Sequence, residues 1–177
     1  MIPLIYHPRY NITAFGLERL HPFDSRKYGR IVNWLIRQGL RQPRDFLSPP
    51  CCPKADLLRL HTSEYLRALR QQHVLARILE VPVLRFLPAW LIAWRVLRPM
   101  CWATGGTILA CRLALQHGLA INLSGGYHHA SRDRGSGFCV YADVPLALVL
   151  SGGYGPLSWE AQARSIEGIL TRFDEES

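Results

Sequence analysis

The stretch Leu119-Ala-Ile-Asn-Leu-Ser-Gly-Gly-Tyr-His-His-Ala-Ser-Arg-Asp-Arg-Gly-Ser-Gly-Phe-Cys-Val-Tyr-Ala-Asp143 decides the architecture. Its apolar start, Leu119 to Leu123, predicts a buried strand. Two glycines follow, then the pair His128-His129, then a second glycine-rich turn that ends in Phe138 and Cys139. Glycine lets the backbone turn sharply and come close to a ligand. Imidazoles titrate near neutral pH and can share proton-transfer work. Immediately upstream, Pro99 opens a long helical pattern that Gly118 is placed to stop. Helix, apolar strand and glycine loop in that order is α/β logic. In open α/β sheets ligands gather beyond the carboxyl ends of strands, where this loop falls. A pair satisfied by backbone groups is the structural alternative for the two histidines. Their place between glycines at a strand end favours chemistry.

Outward from this centre, residues 3–6 predict a first strand. Asp24 is a candidate N-cap for a helix whose apolar face is Tyr28, Ile31, Val32, Leu35 and Ile36, with Gly39 as its stop. Pro49-Pro50-Cys51-Cys52-Pro53 predicts a rigid loop, and Thr62 caps a helix carrying Tyr65, Leu66 and Leu69. Prolines 82, 88 and 99 keep the helices between them short. Trp90, Trp94 and Trp102 fall at helical spacings that predict core packing. Gly105-Gly106 inside the long helix is costly unless another element packs very close. Asp143 with Pro145 in a first turn predicts a helix through Leu150. Beyond it, Ser151 to Pro156 predicts a hinge. Ser158 then caps an amphipathic helix with Trp159, Ala163, Ile166, Leu170 and Phe173 on one face, running into acidic Asp174-Glu175-Glu176. The expected organisation is one domain over 1–150 and a divergent hinge and acidic tail helix over 151–177.

The 177 residues, 49% of them hydrophobic, are enough for one domain with a real core. The net charge of +8 is uneven, with 16 Lys+Arg against 6 Asp+Glu in residues 1–99 and the opposite balance after residue 150. No RNP-like, zinc-finger or helix-turn-helix signature accompanies the basic surface, so direct nucleic-acid binding is not expected. Five cysteines, an odd number without CxxC spacing or a signal peptide, point to a reducing compartment, cytoplasmic or nuclear. The most apolar run, Leu87 to Leu97, contains Arg95 and is too short to span a bilayer. It reads as buried or partner-facing.

The pattern Gly-Gly-aromatic-His-His-Ala…Gly-Phe-Cys resembles the active-site loop of the zinc-dependent histone deacetylases. Further segments look like the class IV branch of that family. They are Tyr10 to Thr13, Gly16 to Glu18, His21 to Asp24 with Lys27, His61-Thr62 with Tyr65-Leu66, Phe86 to Pro88, Val96 to Pro99 and Thr104 to Thr107. The resemblance covers roughly residues 4 to 150. It implies the N-terminal part of an arginase/deacetylase-like three-layer α/β fold, with a parallel sheet flanked by helices. It also implies hydrolysis of acyl-lysine amides on a protein or peptide substrate, histone tails among the candidates. His128 and His129 would be general base and general acid, roles suited to imidazoles with pKa near ~6.5. Gly137 and Phe138 would line the acyl-lysine channel, Gly126 and Tyr127 would shape its floor, and His21 to Asp24 would lie near its entrance.

The resemblance further implies Zn²⁺, held in the family by an Asp-x-His motif and a later aspartate. None of Asp24, Asp45, Asp56, Asp133, Asp143 and Asp174 is followed two residues later by histidine. The remaining histidines, 7, 21, 61, 73 and 117, offer no i, i+4 pair, and Cys51-Cys52 is a poor chelate because neighbouring side chains point apart. No metal ligand is therefore assigned. Cys139 beside the histidines is read as a packing residue rather than a nucleophile. The expected state is an incomplete deacylase, inactive alone. The alternative is a non-catalytic truncated form acting as an interaction or decoy module.

Overall fold

A computed structural model describes residues 1–13, 24–143 and 148–149, together with 159–160, 163–164, 166–167 and 170–171. Gly16 to Glu18, His21 to Phe23, the 151–156 hinge, Ser158, Phe173 and the acidic end lie outside them. In chain order the described elements are β1 (Leu4–Ile5), α1 (Lys27–Arg37), β2 (Phe46–Leu47) and α2 (Lys54–Leu60). Next come α3 (Ser63–Ala68), α4 (Gln72–Ile78), α5 (Ala89–Ile92), α6 (Arg98–His117), β3 (Ile121–Asn122) and β4 (Leu148–Val149).

The strands form one parallel sheet in the order β2-β1-β3-β4. Leu4 lies opposite Phe46 and Ile121, and Ile5 opposite Leu47 and Asn122. Because successive strand residues face opposite sides, this register sorts the chain into layers. Leu4, Ile121 and Leu123 pack with Ile31, Val32 and Leu35 of α1, and with Ala163, Ile166 and Leu170 of the C-terminal helical residues. Ile5 and Ala120 face the other way, onto Ala110 of α6. The result is the expected helix–sheet–helix sandwich. Each fully buried aliphatic side chain in it contributes roughly 1.5–3 kcal/mol of transfer free energy.

Several local expectations hold. Thr62 accepts from Tyr65 N at 3.1 Å as the cap of α3, and Gly39 ends α1 at φ 71°. Gly105 and Gly106 do sit under close neighbours. A Cβ on Gly105 would run into the backbone carbonyl of Pro50, and one on Gly106 into Tyr10 Oη and Asn122.

Other expectations are corrected. Asp24 is not the cap of α1; Arg26 holds that position, and Asp24 instead accepts from Arg26 N at 3.0 Å and from Arg30 at 2.9 Å. Pro99 does lie in the first turn of α6, with Gly118 at its end, but this helix is continuous with the one before it. A π turn over Ala93–Leu97 joins α5 to α6, absorbing a proline that cannot donate to the carbonyl four residues back. Trp90 and Trp94 are 68% and 51% exposed, because Ile92 and Val96 take the inward face; only Trp102 packs, stacked on His7 at 4.1 Å. Leu148 and Val149 form an edge strand paired with Ile121 and Asn122, where a helix from Asp143 to Leu150 was expected. The short strand β2 had no sequence signal beyond two apolar residues. No helix among the described residues is long and apolar enough to cross a membrane.

Candidate active site

The chain leaves β3 through buried Leu123 and Ser124 and turns at Gly125 (φ 98°) and Gly126 (φ 77°). This places His128 and His129 at the carboxyl end of the central strand, both exposed. Their rings lie 4.1 Å apart, inclined at 46°. His128 Nδ1 is 2.9 Å from the carbonyl of Gly126. A carbonyl only accepts, so Nδ1 is the donor in this contact.

The second glycine turn closes against the pair. Gly137 has φ 53°, and a Cβ there would meet His129 Cδ2 at 2.9 Å. Phe138, also left-handed at φ 64°, is half-buried, and its N–H donates to the Ile78 carbonyl at 3.0 Å. Ser136 donates to the His129 carbonyl at 3.1 Å. Tyr127 is buried behind the loop, and burial pushes its phenol well above the usual range. Cys139 is buried as well, its thiol pushed up by desolvation and placed 3.5 Å from the Gly137 carbonyl, which suits packing and not attack.

Three residues that hold this loop had no functional reading in the sequence. Asp143 is buried and accepts from Tyr127 N at 2.6 Å, from Gly126 N at 3.2 Å and from Thr107 Oγ1 at 2.9 Å. Burial raises its carboxyl to about 6, and the bonds from Tyr127, Thr107 and Gly126 restrain the rise. Asn122 donates to Thr107 Oγ1 and to the Ala103 carbonyl, both at 3.1 Å, and accepts from Tyr10 at 3.0 Å. A polar network thus runs from α6 through β3 to the turn before the histidines.

His61 fixes the far side. Its Nε2 accepts from Ala142 N at 3.0 Å, so its Nδ1–H faces the Arg132 carbonyl at 3.3 Å. Tyr65 donates to the Val140 carbonyl at 2.7 Å. Desolvation lowers the His61 pKa. The signals for these roles were an isolated aspartate after an apolar run and a histidine directly before a helix cap.

A zinc site needs three or four nitrogen, oxygen or sulfur ligands converging on one point. Among the described residues no group of three or more His, Cys, Asp or Glu is so gathered. The carboxylate nearest the histidines in the network, Asp143, is engaged by Thr107 and two loop amides. These residues do not by themselves fit the ion.

Comparison with known proteins follows the same outline. A profile described as "Histone deacetylase domain" matches residues 21–152. "Histone deacetylase 2" of Arabidopsis thaliana is 42% identical over 147 residues, 83% of this chain and 38% of the relative. An uncharacterized protein of Picosynechococcus sp. is 34% identical over 145 residues, 82% of this chain and 45% of the relative. "Acetoin utilization protein AcuC" of Bacillus subtilis is 27% identical over 158 residues, 81% of this chain and 38% of the relative. The chain therefore spans less than half the length of these relatives. With the domain profile covering most of its residues and the paired histidines at the end of a central parallel strand, the chain belongs to the histone deacetylase family.

Proposed function

We propose that this chain carries the proton-transfer half of an acyl-lysine hydrolase of the class IV branch. The single observation behind this reading is the His128–His129 pair. The rings lie 4.1 Å apart, and His128 Nδ1 is engaged by the Gly126 carbonyl, which leaves Nε2 as the nitrogen for proton transfer. Such a pair can take a proton from an attacking water and return one to the leaving lysine amine, a contribution of about 10²–10⁴-fold in rate when well placed. Gly137 and Phe138 flank the histidines in a position suited to an acyl-lysine channel, with Gly126 and Tyr127 beneath them. An acylated protein or peptide, histone tails included, is the substrate class, and the cytoplasm or nucleus is where it would be met.

The family is zinc-dependent, and the described residues gather no ligand set. The chain alone is therefore proposed to be inactive. That same observation supports the second reading, a non-catalytic interaction or decoy module.

The test is to incubate the purified chain with zinc and fluorogenic acyl-lysine peptides, beside His128→Ala, with zinc binding followed by calorimetry. No turnover and no zinc uptake is the expected result for the isolated chain. Turnover abolished by His128→Ala would overturn inactivity and establish a competent hydrolase. Turnover unchanged by that substitution would remove the pair from the chemistry.

A further inference from the structure

The proline-rich loop at residues 49–53 lies on the first turns of α6. Cys52 N–H donates to the Cys101 carbonyl at 3.1 Å, and Gly105 leaves room for the carbonyl of Pro50. The two backbones are therefore in direct contact. Across this seam Cys51 Sγ and Cys101 Sγ approach to 2.8 Å, while Cys101 Sγ is also 3.2 Å from the Cys52 carbonyl. Both thiols are half-buried and neither is in a disulfide. Cys52 is turned away, its sulfur 3.6 Å from the Pro53 carbonyl. Of the adjacent pair, it is the Cys51 sulfur that meets the sulfur of Cys101.

We propose that Cys51 and Cys101 form a reversible disulfide, a redox latch between the 49–53 loop and α6 that exchanges with low-molecular-weight disulfides such as glutathione disulfide. A sulfur pair at 2.8 Å needs only a small side-chain rotation to reach the ~2.05 Å bond. The chemistry balances by exchange. The Cys51 thiolate attacks one sulfur of glutathione disulfide, forming a mixed disulfide and releasing one glutathione thiolate. Cys101, deprotonated, attacks the Cys51 sulfur and expels the second glutathione. The protein loses two electrons and two protons, and glutathione disulfide gains them as two thiols. Burial raises the Cys101 thiol, so the second, intramolecular step is the slower one and speeds up as pH rises. In a reducing compartment excess glutathione runs the sequence backward, so the latch reports the local thiol–disulfide balance. The bond would close a 50-residue span and anchor the helix that carries Thr107, the Asp143 partner.

The experiment equilibrates the full chain with graded glutathione and glutathione disulfide, quenches in acid, alkylates remaining thiols and maps peptides by mass spectrometry. A parallel sample is treated in concentrated guanidinium chloride. The expected product is a Cys51–Cys101 linked peptide in the native sample. It should be lost on adding dithiothreitol, retained in Cys52→Ser and absent in Cys101→Ser. The linked form should melt about 8–16 °C above the reduced form, as a bond closing a loop of this length implies. Three results would overturn the proposal: glutathione adducts or Cys51–Cys52 pairing as the native product, an equal Cys51–Cys101 yield from unfolded chain, or a linked form that melts at the reduced protein's temperature. Because the comparison is between redox states of one sequence, it does not depend on any variant folding.

Discussion

Asp143 shows how one side chain sets the histidine loop. Its carboxylate takes two backbone N–H groups from the turn and one hydroxyl from α6. Asp143→Asn would put an amide N–H₂ against at least one of these donors. The expected cost is about 1–3 kcal/mol in urea unfolding, with faster amide exchange at Gly126 and Tyr127. A stability loss without faster exchange there would mean the carboxylate does not order the loop. Gly137 is the second test at this scale. Its left-handed backbone and the His129 ring both exclude a side chain. Gly137→Ala should cost about 1–3 kcal/mol and shift the His129 ring resonances in NMR spectra, leaving those of His61 in place. The placement of the histidine pair and its glycine turns after β3 was legible in the sequence because an apolar run ending in paired glycines marks a strand end. Asp143 was not, since an aspartate ahead of a proline reads as a helix start until its partners sixteen and thirty-six residues away are known.

At the level of elements, α6 is the piece that neighbours shape most. Gly105→Ala would gain helix propensity of about 1 kcal/mol, yet its Cβ would meet the Pro50 carbonyl, a backbone atom with little room to give. A net destabilisation of about 1–3 kcal/mol is expected by chemical denaturation, and a stabilised variant would refute the close contact. The paired glycines predicted this approach, and the apolar periodicity of α1 and the Thr62 cap were equally readable. The π turn before Pro99, the edge strand at Leu148–Val149 and the outward Trp90 and Trp94 were not. Each is settled by what lies opposite in space. Local propensity cannot tell a strand that finds a partner from a helix that does not, nor say which face of a short aromatic helix meets the core.

For the molecule as a whole, two buried titrating groups give opposite pH trends. His61 has a folded pKa below its unfolded value of ~6.5, so the unfolded chain binds more protons just below that pH. Its contribution is present above ~6.5 and lost as pH falls through this window toward the lowered folded value. His61→Gln, which can still accept from Ala142 and donate to Arg132, should flatten the acid side of the stability curve measured by denaturant midpoints. Asp143 runs the other way: its pKa is raised to about 6, so the stability held by its protonated form declines as pH rises from ~4 through that value. A gap between wild type and Asp143→Asn that did not vary across this range would count against the assignment.

Asn122 carries a consequence for folding fidelity. It is the polar residue in an otherwise apolar strand, and all its amide partners, Tyr10, Ala103 and Thr107, sit on the α6 side. Sliding β3 by one position, ~3.3 Å, would thrust that amide among Leu4, Ile31 and Leu35 and leave its donors stranded in a dry layer. The strand therefore has a single seating against β1. The polypeptide's exit toward the imidazoles is indexed by this key residue, much as a notch fixes a wheel on its shaft.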